Sequence, residues 1–259
     1  MSTPISEEYQ RELSRLVIKT GQMLLQHGAE SQMVGSLCCR LGEALGLDSV
    51  EVSLSASSMV VTTLVNDYCI TTARRCPDRG INMHIVSEVQ QVVVDAENNA
   101  IDVAEVRKRL HSIEPYKHNR WLVVFMIGLS CASFCRLAGG DWLLFGWTFL
   151  ASSVGMFVRQ EIAQRHFNPL MNFGVTSFVT TLIAAQAEIY EIGNHPFLAM
   201  ASSVLMLVPG FPLINSVSDM VKGYVNMGIA RWVFASLLSL ATCIGIIAAT
   251  TLLGVWGWV

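Results

Sequence analysis

Apolar residues recur at two different periods in the first part of the chain, then run almost without interruption. Leu13, Leu16, Val17, Thr20 and Leu24 follow Ser6, Glu7 and Glu8 at helical spacing, a capping hydroxyl and two acids at the positive end of the helix dipole. Gly28 suits the end of that helix. Val34, Leu37, Cys38, Leu41 and Leu45 predict a second amphipathic helix that stops at Gly46. The period then changes to two, with Val50, Val52 and Leu54, then Met59, Val61 and Thr63, then Cys69 and Thr71. Asn66-Asp67 between VVTTLV and YCITTA predicts a two-residue hairpin, because both residues tolerate positive φ. Helical spacing returns at Ile85, Val89, Val92 and Val93, where the VVV run also permits a strand. Asp102 and Glu105 then form a cap before Val106, Leu110 and Ile113. Two helices, about three strands and two further helices make a small α+β domain over residues 1–116.

Residues 117–259 carry five apolar stretches: Trp121–Leu137, Trp142–Val158, Leu170–Tyr190, Phe197–Ile214 and Trp232–Trp258. A hydrocarbon core takes about 20 helical residues, and about 17 at the short end. Trp121, Trp142, Trp232, Trp256 and Trp258 mark the ends, where indoles sit at headgroup level. The expected fold is therefore a multi-pass α-helical membrane protein with five transmembrane helices and an N-terminal cytoplasmic α+β domain. Composition agrees: 52% of the 259 residues are hydrophobic, 14% are charged, and mean hydropathy is +0.47.

Loop charges set an expected orientation. Lys117, Arg120, Arg159, Arg165, Lys222 and Arg231 fall on one side of the membrane and Arg136 alone on the other. This puts the N-terminal domain in the cytoplasm and the C-terminus in the periplasm. The N-terminus lacks the basic and apolar regions of a secretory signal peptide.

The fourth stretch is the unusual one. Pro209 and Pro212 remove two helical donors around Gly210, so the helix must break there. Asn215 and Asp219 follow four residues apart, on one face of any helix that resumes. Broken backbone at membrane depth persists only inside protein or along a wet cavity, as in many transporter sites. A helix that simply ends at Leu207 reads the same residues with no function attached. Asn172, Glu188, Arg159 and Lys222 border the spans and are secondary candidates for contact with a transported substrate. Arg136 and Asp141 flank the first outer loop and could pair. Asp219 either carries a proton or pairs with Lys222.

Other chemistry is sparse. A net charge of -3 gives no footprint for nucleic acid. The seven cysteines include no CxxC pair and read as reduced packing residues, and the histidines show no ligand spacing, so neither metal nor cofactor is expected. No catalytic constellation is visible, and an enzyme is not expected. Arg74, Arg75 and Arg79 cluster in one predicted loop, read as a solvated edge. Small residues such as Ser152, Ser153, Gly155, Gly174, Ser177, Ser202 and Ser203 read as packing surfaces.

Two motifs taken in order, Gly21-x-x-Leu24-Leu25-x-x-Gly28-Ala29-Glu30 and Val208-Pro209-Gly210-x-Pro212-x-x-Asn215-x-x-x-Asp219, resemble the N-terminal half of the bacterial threonine/serine exporter family. The resemblance runs from about Gln10 to the end. Single-chain members add a second membrane half, and this chain ends after the fifth expected span, which resembles the two-component form of the family. That resemblance implies inner-membrane export of succinate or related small carboxylates, with a smaller membrane subunit as partner. Threonine or serine is the alternative substrate, and a membrane-anchored metabolite sensor the alternative class. Homo-oligomerisation is left open.

Overall fold

The computed structural model describes residues 6–116 and 118–255. The expectations for Lys117, Trp256, Trp258 and the C-terminal Val259 lie outside them. The chain forms two compact units: Met1–Lys117 with Phe211–Trp232, and His118–Gly210 with Val233–Val259.

In the first unit, α1 (Glu7–Gln26) and α2 (Ser31–Ala44) precede the antiparallel strands β1 (Ser49–Ser55), β2 (Ser58–Val65) and β3 (Tyr68–Arg75), in the order β1-β2-β3. Helices α3 (Met83–Glu97) and α4 (Val103–Ser112) follow, so the VVV run is helical. Met59, Val61, Thr63 and Val65 of β2 face inward and meet Leu13, Val17, Leu24, Val34, Leu41, Val89 and Val93 in one core. Gly21 allows this contact, since a Cβ there would lie 2.6 Å from the Met59 sulfur and 2.7 Å from that of Cys38. The turn forms as expected, with Asn66 and Asp67 both at positive φ and Val65 opposite Tyr68. The buried Gln10 side chain closes that hairpin by donating to the carbonyls of Thr63, at 3.1 Å, and Tyr68, at 3.0 Å. Arg74 and Arg75 end β3 instead of sharing a loop with Arg79. Arg74 lines an open groove of about 660 Å³ with Arg15, Lys19 and Arg107.

The same unit contains α10 (Gly210–Val221) from Phe211 onward, and the start of α11 (Val225–Leu253). Gly223, at φ 88°, turns the chain between them. Gly228 permits their close approach: a Cβ there would lie 2.7 Å from the Ser216 carbonyl oxygen.

The second unit holds α5 (Arg120–Leu137), α6 (Trp142–Gln164), α7 (Pro169–Ala184), the short α8 (Gln186–Ile189) and α9 (Phe197–Ser203), a 3-10 turn at Leu205–Leu207, and the rest of α11. Its residues are sorted opposite to those of a water-soluble domain. Leu122, Phe125, Met126, Leu129, Phe134, Leu143, Leu150, Leu240, Ile244 and Ile247 are exposed, whereas Thr148, Ser152, Thr176, Ser177, Thr180, Thr181 and Ser203 are buried. Apolar surface turned outward fits a lipid surround, and small polar residues inside let helices approach closely.

Among the described residues, four helices have the length and hydropathy to span a bilayer: Arg120–Leu137, Trp142–Gln164, Pro169–Ile189 and Val225–Leu253. The pair Phe197–Leu207 and Gly210–Val221 makes a fifth when counted as one broken span. A break is present, but at Val208-Pro209 rather than across Pro209–Pro212: Gly210 and Pro212 lie in the first turn of α10, where a proline's missing N–H costs little. The structured half before the break is shorter than the expected span, because α9 ends at Ser203.

Candidate functional site

The first group of interest belongs to the first unit and ties α10 and α11 to the turn between α1 and α2. Gly28 adopts φ 89°, a left-handed conformation that glycine accepts freely, and the turn delivers Ala29, Glu30 and Ser31 to the start of α2. Asn215 donates its amide to the Gly28 carbonyl at 2.9 Å. Asp219 is fully buried: Oδ1 accepts from the Ser31 backbone N–H at 3.0 Å, and Oδ2 accepts from the Ser31 hydroxyl at 2.9 Å. The Arg231 guanidinium completes its surroundings, with Nη1 3.0 Å from Oδ2, while Nη2 donates to the Ala29 carbonyl at 2.8 Å. A buried carboxylate is tolerable only with this kind of charge pairing and hydrogen bonding.

Lys222 does not pair with Asp219. It binds Glu30 at 2.5 Å, and Ser218 donates to the same carboxylate. The hydrogen bond from Lys222, then that from Ser218, holds the Glu30 carboxyl below the ordinary carboxylate range. Gly28, Ala29 and Glu30 of the first motif are thus the receptors for Asn215, Arg231, Lys222 and Ser218. Both side chains singled out after the Pro-Gly-x-Pro break are committed within the fold. Gly210 has open space at its Cβ position, so crowding does not explain a glycine there.

The second group lies in the second unit, along the seam of α6 and α7. Arg159 donates from Nη1 to the Met206 carbonyl at 3.0 Å, and its guanidinium carbon lies 4.7 Å from the centre of the Phe173 ring. The Asn172 amide donates to the Arg159 carbonyl at 3.1 Å, and Thr176 donates to the Asn172 side-chain oxygen at 3.1 Å. Ser152 donates to the Ser203 carbonyl at 3.2 Å. The buried hydroxyls of Thr148, Ser153, Thr180 and Thr181 have no hydrogen-bond partner among the described residues. Sequence reading took Ser153 for packing and did not single out the three threonines; a helical stripe of Thr and Ser looks the same whether or not its hydroxyls are paired.

Glu188 sits in α8 with one carboxylate oxygen buried and unpartnered. Arg136 and Asp141 do not pair: Arg136 donates to the Gly140 carbonyl and stacks on Trp142, while Asp141 caps α6 by accepting from the Leu144 N–H at 2.9 Å. Among the described residues, no group of three or more His, Cys, Asp or Glu side chains could hold a metal ion.

Outward apolar helices, inward hydroxyls and a broken helix pair define a multi-helix membrane protein of transporter type. The family model described as "Putative threonine/serine exporter" matches residues 15–253, and the chain belongs to that family. The chain is 51% identical to the "Probable succinate transporter subunit YjjP" of Escherichia coli K12, over 97% of this chain and 99% of that protein. It is 50% identical to the protein of the same name from Klebsiella aerogenes, over 96% and 97%. The "Probable threonine/serine exporter" of Mycobacterium tuberculosis is 21% identical over 94% of this chain but only 46% of its own length. No solved structure matches.

Proposed function

We propose that this protein is one subunit of a secondary exporter of succinate and related C4-dicarboxylates in the bacterial inner membrane. A smaller membrane subunit supplies the second half. The observation that carries the reading is the 51% identity, end to end, to a relative named as a succinate transporter subunit. The Mycobacterium relative, of which this chain matches 46%, fits a family in which the two halves occur joined or separate. The charge balance of the loops, six basic residues against one, supports a cytoplasmic N-terminal domain and a periplasmic C-terminus. Export against a gradient needs an energy source, and an ion gradient is the default where the chain carries no nucleotide-binding motif.

The run Pro209–Asp219 serves transport through position. The break falls at Val208-Pro209, Gly210 and Pro212 lie in the first turn of α10, and Asn215 and Asp219 fasten that helix to the Gly28–Ser31 turn. Movement of α10 during the cycle therefore involves that turn as well.

The test is efflux of labelled succinate, threonine and serine from cells expressing this chain, the small subunit, or both. Succinate efflux that needs both chains supports the reading. Threonine or serine efflux in its place keeps the family and changes the substrate. Efflux of none, with both chains in the membrane, sinks it. Reporter tags at the two termini test the orientation.

A further inference from the structure

We propose that Arg159 anchors a carboxylate of the transported anion, with the Thr180 hydroxyl as a second donor in the same seam of α6 and α7. The inference rests on the reading of the protein as a dicarboxylate exporter and adds the site. Arg159 differs from the other arginines of its unit. Arg120 and Arg165 both pair with Glu161, at 3.3 and 3.6 Å. Arg136 lies by the turn after α5, against the Gly140 carbonyl and the Trp142 ring. Arg159 is partly buried in α6, and among the described residues no Asp or Glu pairs with it. Of its five N–H donors one is used, on the Met206 carbonyl. A buried cation without a counter-ion is costly in an apolar unit, and such residues mark substrate paths. Its planar fork suits a carboxylate, which accepts two parallel hydrogen bonds. The Met206 carbonyl is a neutral partner that a carboxylate can displace.

Thr180 is an independent observation. Its side chain is fully buried and its hydroxyl has no partner among the described residues. Gly155 brings it to the same place. A Cβ on Gly155 would overlap the Thr180 hydroxyl and lie 2.6 Å from the Met206 methyl. Gly155 precedes Arg159 by four residues on one face of α6, a rise of about 6 Å. Met206 thus touches both ends of this interval, its carbonyl at Arg159 and its methyl beside Gly155 and Thr180. The chemistry is that of a short dianion: one end on a guanidinium, the remainder along hydroxyls.

The experiment uses the full chain with its small subunit, and labelled succinate efflux measured against internal succinate concentration. Arg159→Gln should raise the half-saturating concentration about tenfold, the loss of one charge-assisted contact, with Arg159→Lys in between. Thr180→Val should raise it several-fold while thermal stability stays level or improves, because this hydroxyl has no partner to lose. A purely structural Thr180 would move stability and leave half-saturation alone. Wild-type half-saturation in both Arg159→Gln and Thr180→Val overturns the proposal. Should Arg159→Gln fail to reach the membrane, unchanged half-saturation in Thr180→Val alone overturns it. Transport of threonine in place of succinate is read with the same variants and the same criteria. A wild-type pair that carries none of these substrates removes the proposed function, and this site falls with it.

Discussion

The Asp219 carboxylate and the Arg231 guanidinium face each other at 3.0 Å, one fully buried and the other with 16% of its side chain exposed. Asp219 also takes both hydrogen bonds that Ser31 offers, from a position 188 residues away in the chain. The pair is a structural joint between α11, α10 and the start of α2.

Breaking one side of such a joint should cost about 3–5 kcal/mol, because the other charge is left buried alone. Asp219→Asn and Arg231→Met should each lower the melting temperature of the purified protein and its yield from the membrane. Asp219→Asn combined with Arg231→Met should cost clearly less than the two single changes added together. Additive losses in this double-mutant cycle would show that the two groups do not depend on each other.

Gly28 should resist replacement. Its φ of 89° strains any L-residue, and a Cβ would lie 3.2 Å from an Ile81 side-chain carbon. Gly28→Ala should destabilise by about 1–2 kcal/mol. Amide hydrogen exchange should rise in α10, which hangs from the Gly28 carbonyl through Asn215. Unchanged exchange there would separate the turn from the helix.

Glu30 makes a prediction for acid. Its folded-state pKa is lowered by Lys222 first and Ser218 second. Folding therefore favours the ionised form, and this contribution is present at neutral pH. It is lost as pH falls through and below the ordinary carboxylate range. Glu30→Gln should destabilise the protein at pH 7 and make less difference under strongly acidic conditions. Equal destabilisation at both would remove Glu30 ionisation as the cause.

Gly228 packs α11 on α10 with almost no space: a Cβ would lie 2.7 Å from the Ser216 oxygen and 3.0 Å from the Met220 nitrogen. These are backbone atoms that cannot swing away, so Gly228→Val should push the helices apart. Crosslinking between cysteines placed on α10 and α11 should drop in that variant. Undiminished crosslinking would mean that the contact adjusts.

Much of the fold is legible from local periods. The Asn66-Asp67 turn, the capping residues Ser6 and Asp102, and the long apolar helices follow from neighbours a few residues apart, whereas Asp141, which a local reading pairs with Arg136, instead caps α6. The partners of Asp219 and Lys222 do not follow from neighbours either. A local reading pairs Asp219 with Lys222, three residues on. The fold gives Lys222 to Glu30 and Asp219 to Arg231, because the α1–α2 turn sets Glu30 beside Ser218 and Lys222 and Ser31 beside Asp219. No period in the sequence encodes a contact across 188 positions. The polar seam was half visible: Arg159 and Asn172 stood out by charge and polarity, whereas Thr180 became notable only once its hydroxyl was seen to lack a partner.

The distance in sequence between Gly28–Ser31 and Asn215–Arg231 has a consequence for synthesis. The N-terminal domain leaves the ribosome first, but the residues that complete it are made only after α5 through α9. Until then the acceptors at Gly28, Ala29 and Glu30 have no donors, and Ser31 has no carboxylate. The nascent domain therefore waits with an unfinished edge while the membrane helices insert. Closure of this unit requires the chain to have been made as far as Arg231 in α11.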